Sequence, residues 1–309
     1  MNGNRRPVVL VLQGAADAIR APSAHHDVVI ADDLEGVPSE TADRVVAIVM
    51  RSGVRLGSAE LDRMPALARV VRAGSGTDNV DLEQLSRRGV VFHRNAEASV
   101  EAVGEWALMA TLVLVRRAAA GLIGIQHGQH LKASGMGRPL ADHRLAIWGH
   151  GPVGAAVWKV MAPFVADVRF AAWPSLPDGV PRQLPDELNR WADIHVAALP
   201  HRAGTAAAFG PDWLATVADR RPHLVCVGRL ETLDLSAVLA ALADDRLAGL
   251  AIDPVEHSDV PTLRDAMSEP VNLFVSPHLG AQRLDVRMKL DAWVTERLAD
   301  LPHLPAVGQ

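Results

Sequence analysis

Short apolar runs recur along the chain, separated by segments of helical periodicity. VVLVLQG (8–14), RVVAIVM (44–50), ARVVRAG (68–74) and GVVFHRN (89–95) form a first series. A second follows as RLAIWG (144–149), VRFAAW (168–173), DIHVAAL (193–199), HLVCVG (223–228), LAGLAID (247–253) and NLFVSP (272–277). The runs lack the strict alternation of a strand with one wet face. Between them Val100–Arg117, Ala155–Ala166 and Leu235–Ala243 repeat apolar residues at helical spacing. Continuous apolar strands interleaved with helices are the pattern of a parallel sheet covered on both faces. The expected fold is therefore α/β, with two doubly wound parallel-sheet domains. Domain one is expected over 1–117 and domain two over 118–283. The final helical segment, Arg283–Leu301, follows the second series, and 284–309 is expected to pack back onto the first domain.

Composition narrows the class of partner. Of 309 residues, 49% are hydrophobic and 22% charged, a globular balance with length enough for two cores. No apolar run reaches the roughly 18 residues of a membrane span, and the stretch before VVLVL lacks a signal-peptide pattern. The single Cys226 excludes an intramolecular disulfide and suits a reducing cytoplasm, the expected location. A net charge of −5 without a basic stripe argues against nucleic acid. With no tyrosine in the chain, no tyrosine-based proton transfer is available.

The glycine spacing in LAIWGHGPVG changes the picture. Gly149, Gly151 and Gly154 follow an apolar strand and open an Ala/Val-rich helix. In a Gly-x-Gly-x-x-Gly turn the first glycine makes the bend and the second admits a pyrophosphate. The third lets helix pack on strand, and the helix N-terminus faces the anion. With 24 glycines in 309 residues, chance supplies the bare motif in about one chain in seven, so its strand–helix context carries the weight. A carboxylate should close the next strand to bind the adenosine ribose. Ala172, Trp173, Pro174 and Ser175 stand there instead. The loop thus implies NAD(P)H without choosing between NAD and NADP. His201-Arg202, in the turn after Pro200, is weighed as a 2′-phosphate contact against a solvated loop.

Arg229 ends one strand of the second series, and His278 follows another behind a proline. An arginine suits a substrate carboxylate and carbonyl, and a histidine suits proton transfer as hydride moves. The ordered motifs VVRAGSGTDNVDLEQLSRRGVVFHRN (70–95), VGEWALMATLVLVRR (103–117), LAIWGHGPVG, AALP (197–200), VGRLETLDLSAVLAAL (227–242), AGLAIDPV (248–255) and SPHLGA (276–281) resemble the D-isomer-specific 2-hydroxyacid dehydrogenases. The resemblance spans nearly the whole chain. It implies a substrate domain followed by a Rossmann domain, with a small 2-keto or 2-hydroxy acid as partner and a homodimer as assembly. Carried over by position, Arg229 would bind the substrate and His278 would be the acid/base. Gly149, Gly151, Pro152, Val153 and Gly154 would hold the pyrophosphate, Pro200 would sit by the ribose, and Asp253 would face the nicotinamide carboxamide. Arg51, Ser52 and Gly53, with Ser75 and Gly76, look like the loops that meet the substrate carboxylate.

Several positions depart from the family pattern. The glutamate that partners the histidine is expected five residues after Asp253, where Ser258 stands; Glu256 lies two residues earlier. Glu256 takes the role, or Ser258 serves as a neutral partner, or activity is altered or lost. The last option defines the alternative function, a dinucleotide-binding sensor or assembly subunit. Cys226, Leu230, Trp106 and Glu97 replace the family's asparagine, glycine, histidine and proline, and the bulk of Leu230 and Trp106 is expected to reshape the substrate pocket. No metal site is expected: His25-His26 reads as solvated, and His127 and His130 lack a third ligand. His195, inside a strand, reads as a core residue.

Overall fold

The computed structural model describes residues 6–12, 14–15, 25–133, 135–172, 179–299 and 301. Trp173, Pro174 and Ser175, weighed above at the ribose position, lie outside the described residues, as do 302–309 of the expected C-terminal return. The chain forms two compact units, one of residues 1–98 with 283–309, the other of residues 99–282.

Unit 1 is a five-stranded parallel sheet. Its strands are β1 (Val8–Leu12), β2 (Asp27–Ala31), β3 (Val45–Met50), β4 (Arg69–Arg72) and β5 (Val91–Arg94), in the order β2-β1-β3-β4-β5. β1 and β3 are buried at every position, as the middle of a sheet covered on both faces requires. One face buries Leu10, Ile48 and Val70 against Leu61 and Leu85, and the other buries Val9, Val49 and Val71 against Val294 of the C-terminal helix Leu284–Leu298.

Unit 2 is a seven-stranded parallel sheet made of β6 (Arg144–Trp148), β7 (Asp167–Ala171), β8 (Arg182–Gln183), β9 (Ile194–Ala197), β10 (His223–Cys226), β11 (Gly249–Ile252) and β12 (Leu273–Val275). The order β12-β11-β10-β9-β6-β7-β8 is the doubly wound dinucleotide-binding arrangement, extended by one strand. Chain direction across the sheet reverses between β6 and β9. Ligands of open α/β sheets bind at such a switch point, beyond the carboxyl ends of the strands.

The expected boundary at 117/118 falls instead at 98/99. The helix Val100–Val115 buries Val103, Trp106, Ala107, Ala110 and Leu114 with β6 and β10 residues of unit 2. A Cβ on Gly104 would stand 3.1 Å from Ala156 O in the helix Pro152–Met161, so a glycine lets the two backbones approach. Asn272 at the start of β12 donates to Leu114 O at 2.9 Å. No single helix among the described residues is long and apolar enough to cross a membrane; Val100–Val115 and the apolar helix Ala118–Gln126 are bent 66° apart at the break containing Arg117.

Candidate active site

The glycine loop is shaped by two different demands. Gly149 has φ 101°, and a Cβ there would stand 2.6 Å from Ala198 O. A Cβ on Gly154 would collide with Gly149 O. Both are glycines because the protein's own backbone fills the space. Gly151 is different: it has φ −79°, which any residue adopts, and nothing lies within 4 Å of its Cβ position. It caps the helix Pro152–Met161, whose first-turn N–H groups at Val153 and Gly154 lack intrahelical acceptors. Pro152 at the first helical position has no N–H to leave unpaired. Open room above unpaired donors at the switch point fits a dinucleotide pyrophosphate.

The ends of neighbouring strands are drawn together by a second pair of close approaches. Gly149 packs on Ala198–Leu199 from one side, and Gly228 on the Leu199 backbone from the other, with its Cβ position 2.7 Å from Leu199 N. Arg229 follows Gly228 directly. Its carbonyl accepts from Thr232 Oγ1 at 2.6 Å and Thr232 N at 3.1 Å, and its Nη1 donates to Gly228 O at 3.0 Å. Cys226, three residues earlier at the end of β10, is fully buried, and burial pushes its thiol up to about 12.

His278 lies three residues past β12 with φ 57°, a left-handed conformation that costs a non-glycine residue about 1–2 kcal/mol. Asp253 at the end of β11 holds it there. His278 N donates to Asp253 O at 2.8 Å, and the Asp253 carboxylate accepts from Ser276 Oγ at 2.6 Å and Gly280 N at 3.0 Å. A Cβ on Gly280 would stand 2.6 Å from that carboxylate. Asp253 is 5% exposed, and the hydrogen bonds of its carboxylate within the described residues go to the turn carrying the imidazole.

Glu256 Oε1 stands 3.1 Å from His278 Nδ1, with the two side chains 55% and 34% exposed. The loop between Asp253 and Glu256 is braced at both ends: Val255 N donates to Asp253 O at 2.7 Å, and Glu256 N to Asp259 Oδ2 at 2.9 Å. Ser258 lies in the 3₁₀ turn His257–Asp259 and makes no hydrogen bond to His278 among the described residues.

Trp106 and Leu230, expected to reshape the substrate pocket, both pack against core residues of unit 2. Trp106 is 5% exposed and stacks on Phe274 with ring centroids 5.8 Å apart; Leu230 packs against the core on the other face of the sheet. Trp106 is taken into the core by burial, whereas Leu230 is half-buried. His195 is a core residue on β9, fully buried, with Nδ1 accepting from Trp148 Nε1 at 3.1 Å. Burial depresses its pKa to about 3, and burial likewise depresses that of His223 to about 3. Among the described residues no group of three His, Cys, Asp or Glu is placed to hold a metal.

In unit 1, Arg51, Ser52 and Gly53 follow β3, and Ser75 and Gly76 follow β4. Asn79, which sequence reasoning missed, joins these loops: Nδ2 donates to Arg51 O at 3.0 Å and Val54 O at 2.6 Å. Arg94, also missed, donates to Ser75 O at 2.7 Å. Unit 2 gathers Gly149, Gly151, Pro200, Arg229, Asp253, Glu256 and His278 at the carboxyl ends of its strands.

Residues 108–280, more than half of the chain, match the family model described as D-isomer specific 2-hydroxyacid dehydrogenase, NAD binding domain. The chain belongs to this family. It is an NAD(P)-dependent oxidoreductase of the class that interconverts 2-keto acids and D-2-hydroxy acids. It is 23% identical over 260 residues to a 2-ketogluconate reductase of Gluconobacter oxydans, covering 83% of each protein. To a D-3-phosphoglycerate dehydrogenase of Bacillus subtilis it is 23% identical over 276 residues, covering 85% of this chain and 51% of that protein. Its fold is similar to that of a D-lactate dehydrogenase from Aquifex aeolicus complexed with NAD and lactic acid, with a TM-score of 0.81 at 18% identity over 94% of both chains.

Proposed function

We propose that the chain reduces a small 2-keto acid to its D-2-hydroxy acid, or runs the reverse oxidation, with His278 as acid/base, Glu256 as its partner and Arg229 as the substrate clamp. The observation that carries this reading is the 3.1 Å approach of Glu256 to His278 Nδ1. A carboxylate there keeps the proton on Nδ1 and leaves Nε2 to serve the substrate oxygen. Gly149, Gly151 and Gly154 would hold a dinucleotide whose nicotinamide would supply or accept the hydride at C2. Arg229 binds the substrate carboxylate and polarises the carbonyl, and His278 delivers the proton that completes the hydroxyl. Asp253 keeps the imidazole in place through the Ser276–Gly280 turn. Arg51, Ser52, Gly53, Ser75 and Gly76 take the substrate carboxylate through their backbone N–H groups. The alternative of a sensor without dehydrogenase activity rested on Ser258 and on the missing acid at the end of β7; the approach of Glu256 to His278 weighs against the first of these.

The chain acts in the cytoplasm as a homodimer. Support for the dimer is the apolar surface on two successive helices, with Met109 and Leu112 about half exposed and Leu122 and Ile125 61% and 71% exposed. Patches of this kind mark association surfaces. Ile125→Asp should convert a dimer to a monomer in sedimentation velocity; a wild-type monomer at micromolar concentration refutes it. For the reaction, oxidation of NADH and NADPH is followed across a panel of 2-keto acids. Turnover of at least one acid that falls by orders of magnitude in His278→Ala is expected. Equal turnover in that variant refutes the assignment.

A further inference from the structure

The β7 strand ends at Ala171, and Ala172, whose N donates to Gln183 O at 2.9 Å, offers only a methyl group where a ribose-binding carboxylate would stand. Among the described residues at that strand end, no carboxylate grips a 2′,3′-diol or repels a 2′-phosphate. In the sheet β6 lies between β9 and β7. The end of β9 is pressed against the glycine loop, since the Cβ position of Gly149 falls 2.6 Å from Ala198 O and 3.3 Å from Leu199 Cδ2. The turn after Pro200 therefore rises directly beside that loop.

The turn is pinned from below. Thr205 is 6% exposed; its Oγ1 accepts from Arg202 N at 2.9 Å and donates to Pro200 O at 2.5 Å. His201 and Arg202 are left exposed on top, and among the described residues the Arg202 guanidinium has no hydrogen-bond or ion-pair partner. On the other side of the loop His150 turns toward β7, with its ring edge-on to Phe170 at 4.9 Å between centroids. Phe170 is two residues from Ala172. Three basic residues thus stand in the loops that follow β6 and β9, with His150 directed toward β7. Among the described residues that border these strand ends, 148–155, 170–172 and 197–208 contain no Asp or Glu.

We infer that Arg202, with His201 and His150, forms a seat for a 2′-phosphate on the adenosine ribose, so that this chain selects NADP(H) over NAD(H). The inference rests on the dinucleotide reading of the glycine loop and adds the chemical class of its cofactor. A guanidinium is always charged and meets phosphate oxygens in pairs, so Arg202 is the principal contact.

Binding, read without turnover, tests it. The seven tryptophans report titrations of the full chain with NADPH and NADH, and adenosine 2′,5′-bisphosphate and 5′-AMP compete for the site. NADPH should bind at least about tenfold more tightly than NADH, with a steeper loss of affinity on adding salt. Adenosine 2′,5′-bisphosphate should displace it better than 5′-AMP. Arg202→Ala should cut the NADPH-to-NADH affinity ratio on the order of tenfold, and Arg202→Lys should cut it less. Equal or tighter NADH binding overturns the inference. So does an unchanged ratio in Arg202→Ala with the wild-type circular dichroism spectrum. If neither dinucleotide binds, the cradle reading of the glycine loop falls as well.

Discussion

Acid should destabilise unit 2 through two histidines that the fold keeps neutral. His195 and His223 are buried on β9 and β10, and both have pKa values depressed to about 3 from a model-peptide value of 6.5. As pH falls below 6.5 the unfolded chain gains a proton on each, whereas the folded chain gains none until near pH 3. Stability is therefore fully present above pH 6.5 and is lost steadily between 6.5 and 3. At pH 5 the linkage relation gives about 2 kcal/mol for each group and about 4 kcal/mol for the pair. A domain's whole stability is roughly 5–15 kcal/mol, so the effect is large. Urea unfolding at pH 7.5, 6 and 5 measures it, with circular dichroism for the fold and tryptophan fluorescence for Trp148, whose indole N–H rests on His195. His195→Asn, which retains an acceptor for Trp148, should remove about one proton from the slope of stability against pH. A stability flat from pH 7.5 to 5, or a slope unchanged in His195→Asn, refutes the reasoning.

Four further outcomes are expected. Glu256→Ala should lower kcat by on the order of 10²- to 10⁴-fold in steady-state assays, while Ser258→Ala stays near wild type; the reverse result would move the dyad to Ser258. Gly151→Val should weaken dinucleotide binding by tenfold or more with little change in melting temperature, because only a ligand needs that space. Gly149→Ala and Gly154→Ala should lower the melting temperature by several degrees, because the backbone needs theirs. Cys226, buried and with its thiol pushed up to about 12, should react with a thiol reagent only on the timescale of unfolding.

The interior strands were legible because a parallel sheet covered on both faces favours predominantly apolar runs, which β1, β3, β6, β9, β10 and β11 supply. β2, Asp27–Ala31, was missed: it is an edge strand, half exposed, set between His25-His26 and Asp32-Asp33. β8 is two residues long and has no periodicity to detect. The helix Val100–Val115 was legible as a helix but not as a member of unit 2, since it is apolar on most faces and carries no mark of which core receives it. At the site, residue types showed Arg229, His278 and the glycines. Spacing along the string could not show the path of the 253–259 loop, so Glu256 and Ser258 remained equal there. Asn79 and Arg94 act on carbonyls of distant loops, a relation that leaves no local pattern. Gly228 did have a signal, a glycine directly before the strand-end arginine.

The brace around Glu256 bears on how such chains are to be read. With Asp253 anchoring one end of the segment and Asp259 the other, the residues between are free to differ in which of them turns toward the ring. The carboxylate beside His278 is thus defined by an address in space, about 3 Å from Nδ1, and two slots of displacement in the string leave that address filled. A chain scored position by position would be set aside as a broken enzyme. The same chain, asked which oxygen its imidazole meets, answers with Glu256 Oε1 at 3.1 Å.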